Sequence, residues 1–376
     1  MDNDSKTAQT LLYLLSCAVN AEECKLKPDE IDFDGLYSLA AKHGLSSVVA
    51  FALESAGISE RRFVQAKLKT KRRLGLLDIE RENIYKKMSE AGIWYAPLKG
   101  IVLKDFYPRY GMREMTDNDI LCDGSKMPEI KEIMESLGFT CEHYGAWHHD
   151  TYNKPPAIVF EMHHSLFLTG DMPLFDSYFA DAFDRLAHKE GCEYAFSDED
   201  FYIYILAHEY KHFSHNGTGL RSLLDLYVYL NTHPKLDFDY IGRELEKLSL
   251  SDFERQSRDV VKKLFSLQQL SEEDAEFLSL FLGSSLYGSA SQGTYNFLTQ
   301  QLDGKDTKSA KIKYFFDRIF VHGEALERHY PFFAEHKWLL PALYVYRPIK
   351  TLFTNPKSIT RETKSIVKYE SPKNRW

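Results

Sequence analysis

The sequence has few cysteines and arranges none of them in a recognisable pattern. There are five, Cys17, Cys24, Cys122, Cys141 and Cys192. Their number is odd, their spacing is scattered and no C-x-x-C pair occurs, which excludes a disulfide framework or a cysteine zinc centre. A reducing, cytoplasmic setting is the expectation. Positive charge is not in surplus either: the net charge is −8 and the pI is near 6.0. That balance excludes a protein whose whole surface binds nucleic acid, because phosphate contacts need concentrated basic side chains. Long apolar runs are absent as well. The longest uncharged stretch, Phe277 to Leu302, is rich in Ser, Gly, Gln and Thr, and no window in it approaches the ~20 apolar residues of a membrane span. The apolar segment from Leu11 to Val19 follows Asp2 and Asp4 with little positive charge before it and no A-x-A after it. Leu11, Leu12, Leu15 and Val19 fall at helical spacing, so an amphipathic first helix is expected there rather than a leader. No internal repeat is found.

What is present is an ordinary folding composition, 44% apolar and 27% charged, with 23 Tyr and 25 Phe to fill interfaces. A chain of 376 residues has room for two or three domains. Four regions are expected: an N-terminal helical region over 1–88, an α/β core over 89–170, a C-terminal helical region over 171–345 and a basic tail over 346–376. Within the core, Ile93 to Leu98 is short, β-prone and bounded by Gly92 and Gly100, as a strand is. Ile101 to Phe106 reads as a brief helix and Tyr107 to Met115 as a loop. Asp117 to Cys122 alternates polar and apolar residues like a half-buried strand. Ser125 is placed to cap a helix through Leu137 that ends at Gly138. Phe139 to Tyr144 and Ala157 to His163 are further strands, separated by a polar, Pro-containing loop. From about residue 172 helical patterns return, most clearly over Asp200 to Leu230 with a break at His215 to Gly219. The expected fold is therefore α+β, a small mixed sheet flanked by helices on both sides.

Chemistry concentrates in the core. Side chains at i and i+2 of a strand point to one face, so Asp117 and Asp119 project together. Two carboxylates that close repel unless a cation neutralises them, and Mg²⁺ suits a few carboxylates plus water and phosphate oxygens. A solvated D-N-D turn is the plain alternative. On another expected strand Glu161 and His163 share one face, while Ile158, Phe160 and Met162 take the other. Glu161 would supply a third carboxylate to the same ion. Upstream, Lys99 and Gly100 stand where a strand turns into a short helix, a place where backbone N–H groups hold phosphate. The adjacent pairs His148-His149 and His163-His164 would each send one ring inward and one outward.

The run from Leu98 to Cys122, LKGIVLKDFYPRYGMREMTDNDILC, resembles the uncharacterised nucleotidyltransferase family of the DNA polymerase beta-like superfamily. The matching features are Leu98-Lys99-Gly100, Tyr107-Pro108, Arg113 and the D-x-D of Asp117 and Asp119. A later acid-x-histidine matches Glu161 and His163, and a helical segment matches His208, His212, Arg221 and Asp225. The glycine-serine pair usual in the wider superfamily is replaced by Lys99-Gly100, and the gap to the first Asp is longer, as in the narrower family. The resemblance implies transfer of a nucleoside monophosphate from a nucleoside triphosphate such as ATP to a hydroxyl-bearing acceptor, releasing pyrophosphate. It implies two Mg²⁺ ions, or Mn²⁺ in their place, on Asp117, Asp119 and Glu161, with Glu161 as general base. Lys99, Gly100, Arg113 and Thr116 are then the nucleotide-binding candidates. His163, His208, His212, Arg221 and Asp225 are the substrate-pocket candidates, with an i to i+4 ion pair as the plain reading of the last two.

Two other functions are weighed. His208-Glu209-His212 has the H-E-x-x-H spacing of zinc peptidases, in which both histidines bind zinc from one helical face and the Glu is general base. Against it, Lys211 puts a charge beside the metal and His215 replaces the glycine of the extended motif. A nucleotidyltransferase-like protein that only binds its nucleotide is the third reading. The acceptor and the nucleotide are not legible from sequence.

Overall fold

The structure, a computed structural model, describes residues 3–145, 147–168, 172–286 and 330–354, with single positions at 293, 311, 320, 326 and 366. The chain divides into two compact units: residues 1–211 with 219–282, and residues 212–218 with 283–376. The fold is α+β, as expected.

The first unit opens with four helices, α1 (Asn3–Val19), α2 (Phe33–Lys42), α3 (Ser46–Ser55) and α4 (Arg61–Glu90). The periodicity read from Leu11 and Leu15 holds, both being fully buried in α1. Helix α4 is closed by Gly92, whose φ of +66° a side-chained residue would adopt only with strain. The Gly92 and Ile93 amides bond back to the Ser89 and Met88 carbonyls, and the chain leaves directly into β1 (Tyr95–Pro97). A short helix α5 (Lys99–Leu103) follows, then β2 (Asn118–Cys122), α6 (Met127–Ser136), β3 (Thr140–His143), β4 (His149–Lys154) and β5 (Ile158–His163).

The five strands form one mixed sheet in the order β1-β2-β5-β4-β3. Its centre is the parallel pair β2 and β5, and the other neighbours are antiparallel. Period-two alternation divides the faces. Ile120 and Cys122 of β2, Ile158, Phe160 and Met162 of β5 and Tyr152 of β4 pack with Leu74, Leu77, Ile84 and Met88 of α4 and with Ile130 and Met134 of α6. The burial drives the helices onto that face; truncating a ring such as Phe160 to Ala would cost about 3–5 kcal/mol. The opposite face carries Asp119, Glu161, His163 and His149 beside Leu121 and Val159.

Two differences from the sequence reading concern strands. The segment taken as a polar loop contains β4, whose sequence HDTYNK is polar on both faces and so hides its alternation. A small hairpin, β6 (Leu186–His188) with β7 (Tyr194–Phe196), lies in the region read as helical. The cap expected at Ser125 also differs: Asp123 accepts the Ser125 amide at the 3-10 turn Gly124–Lys126, and α6 itself starts after Lys126 without a side-chain cap. Five helices complete the series, α7 (Pro173–Tyr178), α8 (Asp198–His215), α9 (Leu220–Thr232), α10 (Phe238–Lys247) and α11 (Ser251–Phe265), before α12 (Glu272–Gly283).

In the second unit the described elements are the last turn of α8 and the helices Pro331–Glu335 and Leu340–Thr354. Most of the basic tail lies outside the described residues. Among the described residues no helix is long and apolar enough to cross a membrane, and all five cysteines are free thiols.

Candidate active site

The register of the central strands decides which side chains meet. Asp119 on β2 pairs with Glu161 on β5, and Leu121 pairs with His163. One ligand atom from each of Asp119, Glu161 and His163 lies within 4.8 Å of the others. His163 is fully buried, and its Nε2 lies 3.0 Å from Asp119 Oδ1 and 3.5 Å from Glu161 Oε2. An ionised carboxylate can only accept, so the hydrogen bond to Asp119 puts the His163 proton on Nε2. On the other side Lys99 donates from Nζ to the same Asp119 oxygen at 2.7 Å. Strand β2 begins one residue after Asp117, and the Thr116 carbonyl before it accepts from the Arg73 guanidinium at 2.8 Å. Asp117 is half-buried at the strand's entrance.

These surroundings separate the two aspartates. Burial alone would raise Asp119, but the Lys99 ammonium and the His163 ring hold its carboxyl well below the usual range. Asp117 moves the other way. Burial, and then the charges of Asp119 and Glu161, raise it, with Lys99 and Arg221 offsetting only part. Asp117 thus carries negative charge that the protein's own cations leave incompletely balanced.

The Lys99-Gly100 turn works differently from its sequence reading. The left-handed residue is Lys99, at φ +44°. Gly100 is required for space, since a Cβ there would stand 2.5 Å from Arg113 Nη1. Arg113 cannot yield easily, being locked in a buried two-point pair with Asp225, Nε to Oδ1 at 2.8 Å and Nη2 to Oδ2 at 2.9 Å. Tyr107 donates to Asp225 Oδ1 at 2.7 Å. The i to i+4 pairing of Arg221 with Asp225 gives way to this cross-fold pair, and Arg221 donates instead to the Glu114 carbonyl at 3.2 Å. Nothing in the sequence marks Arg113 and Asp225 as partners, 112 residues apart.

The histidine pairs divide. His163 is buried and His164 turns out to the Trp147 carbonyl at 2.8 Å, one ring inward and one outward. His148 and His149 do not obey that rule. His148 precedes β4, so strand alternation does not govern it, and the two rings meet with His149 Nδ1 3.4 Å from His148 Nε2. His149 pairs across β4 and β5 with His163, and one nitrogen of each of His148, His149 and His163 lies within 4.8 Å of the others. Burial, then the charge of His163, pushes His148 down to about 2 and His149 down to about 4. The sequence alone hides this cluster, because strand alternation would send the two rings of His148-His149 to opposite faces.

His208, Glu209 and His212 lie on α8. Glu209 is buried, its Oε1 is without a hydrogen-bond partner among the described residues, and burial raises its carboxyl to about 8. A peptidase general base works ionised beside a metal-bound water, whereas burial here favours the neutral form of Glu209.

The model of the uncharacterised nucleotidyltransferase family matches residues 29–266, well over half of the chain and all of the sheet. No curated protein and no solved structure matches it. With Asp119 and Glu161 in register on adjoining strands inside the matched span, the chain belongs to the uncharacterised nucleotidyltransferase family.

Proposed function

We propose that the protein moves a nucleoside monophosphate from a nucleoside triphosphate to a hydroxyl-bearing acceptor, using Asp117, Asp119 and Glu161 with Mg²⁺. The observation that carries this reading is the direct pairing of Asp119 with Glu161 across two parallel strands, with Asp117 two residues upstream. The donor set suits a hard divalent cation: Asp119 and Glu161 stand in one cluster with His163, and Asp117, outside that cluster, is raised by burial and by the charges of both. When bound, Mg²⁺ supplies neutralisation of phosphate charge and lowers the pKa of the attacking hydroxyl.

The chain's own groups do the rest. Lys99 and His163 keep Asp119 ionised, so it remains a ligand at any physiological pH. Glu161, still partly open to solvent, accepts the acceptor's proton as its oxygen bonds to the α-phosphorus. The bond from that phosphorus to the bridging oxygen breaks, and pyrophosphate leaves. Arg113 serves this site by holding α9 to the Gly100 turn through Asp225, a positioning role rather than a contact with pyrophosphate.

The test is incubation of the protein with each α-labelled nucleoside triphosphate and Mg²⁺ in cell extract, followed by identification of the labelled product. A labelled acceptor with the wild-type chain, lost with Asp117→Ala and with Asp119→Ala, is expected. Unchanged turnover in either variant removes the assignment. Binding of Mg²⁺–nucleotide without turnover across a broad acceptor panel favours a nucleotide-binding protein instead.

A further inference from the structure

On the same sheet face, beside the carboxylates, stand three imidazoles, of which the proposed transfer uses only His163, as a partner of Asp119. We infer that His148, His149 and His163 form a second cation site, one that takes a transition-metal ion of the zinc class. Their rings pack at centroid distances of 4.6, 4.9 and 5.4 Å, and one nitrogen from each falls within a 4.8 Å cluster. Ligands around a tetrahedral ion with bonds of about 2.0–2.1 Å stand about 3.4 Å apart, so a small closure of the rings brings them to bonding distance.

A second observation points to a ligand. His163 meets Asp119 through Nε2, so Nδ1 is the ring nitrogen left for a further partner. That Nδ1 and His148 Nδ1 are both shut off from solvent with no hydrogen-bond partner among the described residues. A buried acceptor left unpaired costs about 1–3 kcal/mol. An ion on His163 Nδ1 satisfies it and turns Asp119–His163 into the carboxylate–histidine–metal arrangement that orients metal-binding rings. The donor set selects the metal. Imidazole nitrogen favours Zn²⁺ and its neighbours over Mg²⁺. The negative charges of Asp119 and Glu161 offset the dication. The site borders the proposed catalytic carboxylates and shares His163 with them, but it does not require that the protein transfer nucleotides.

The experiment is titration of the metal-free full chain with Co²⁺, read by its d–d absorption, then competition with Zn²⁺ and with Mg²⁺. One Co²⁺ is expected to bind, with the spectrum of a nitrogen-rich site, and to be displaced by Zn²⁺ but not by an excess of Mg²⁺. His148→Ala and His149→Ala should each weaken binding at least about tenfold, while Asp117→Asn leaves it unchanged. X-ray absorption at the zinc edge of the wild-type chain counts imidazole ligands without any variant that must fold; three are expected. Absence of Co²⁺ uptake, wild-type affinity in both histidine variants, or fewer than two imidazoles overturns the inference. Co²⁺ binding intact in a chain that transfers no nucleotide leaves this site standing and removes only the catalytic reading.

Discussion

Lys99 sets its ammonium 2.7 Å from the buried Asp119 carboxylate while its own backbone stands at φ +44°. A side-chained residue in that left-handed region costs roughly 1–2 kcal/mol. Glycine would avoid the cost but could not supply the charge. The turn therefore keeps a strained lysine at the position where the sheet needs a cation, and spends its glycine one residue later to make room for Arg113.

Two substitutions at Lys99 separate strain from charge. Lys99→Ala keeps the strain and removes the partner of a mostly buried carboxylate, a loss of about 3–5 kcal/mol. Lys99→Gly removes the partner but relieves roughly 1 kcal/mol of strain, so it should be the milder of the two by about that margin. Urea unfolding at neutral pH measures both. Equal or greater stability than wild type in Lys99→Gly would show that the ion pair contributes little.

The opposed shifts of the two aspartates give the acid limb of activity its origin. Asp119 is depressed, so its contribution to stability is present above the ordinary aspartate range and is lost only as pH falls through its lowered folded value. Asp117 is raised, so it is the carboxylate that takes up a proton first on acidification. Because protons and a cation compete for Asp117, the acid limb of Mg²⁺-dependent turnover should move to lower pH as Mg²⁺ is increased. Rate–pH profiles at low and saturating Mg²⁺ test this; a limb that does not move would detach Asp117 from metal binding.

Much of this site could be read from the chain because strands impose a period of two. The E-x-H spacing places Glu161 and His163 on one face whatever the register, and the apolar partners Ile120, Ile158, Phe160 and Met162 fix which face is the core. The D-x-D spacing does not do the same for Asp117, which stands one residue before β2. What spacing could not supply was the identity of neighbours across the fold. The pairing of Asp119 with Glu161 depends on strand order, the meeting of Arg113 with Asp225 depends on where α9 docks, and β4 carries too little apolar signal to announce itself. The His148-His149 pair was misjudged for a local reason: alternation holds only inside a strand, and His148 lies just outside it.

Asp225 is the stronger test of a structural arginine. Its carboxylate holds both Arg113 nitrogens and the Tyr107 hydroxyl in a buried pocket. Asp225→Ala strands a guanidinium without a counter-charge, and a loss of about 3–5 kcal/mol is expected. Gly100→Ala should cost about 1–3 kcal/mol, because its methyl group must push Arg113 off the same pair. As both changes break one contact, their effects should fall short of additivity in the double variant. Denaturant unfolding of the three variants measures the cycle, and full additivity would mean that Gly100 guards something other than Arg113.

Glu209 offers a pH test that also bears on peptidase chemistry. Its folded carboxyl is raised to about 8 by burial, against about 4.3 in an unfolded chain. A raised group contributes stability that is fully present below the unfolded value and is lost as pH climbs to the folded one, because the native state holds the extra proton in between. Glu209's own contribution should therefore fall between about pH 4.3 and pH 8, by up to a few kcal/mol. It is read most cleanly above about pH 6.5, where the opposing His43, His148 and His149 are neutral in both states. Glu209→Gln, neutral throughout and able to keep a hydrogen bond to Ser222, should remove that slope and match or exceed wild type at pH 8. Thermal melts across this range decide it. A slope that survives unchanged in the variant would show that Glu209 is not the group holding the extra proton, and would return H-E-x-x-H to consideration as a working motif.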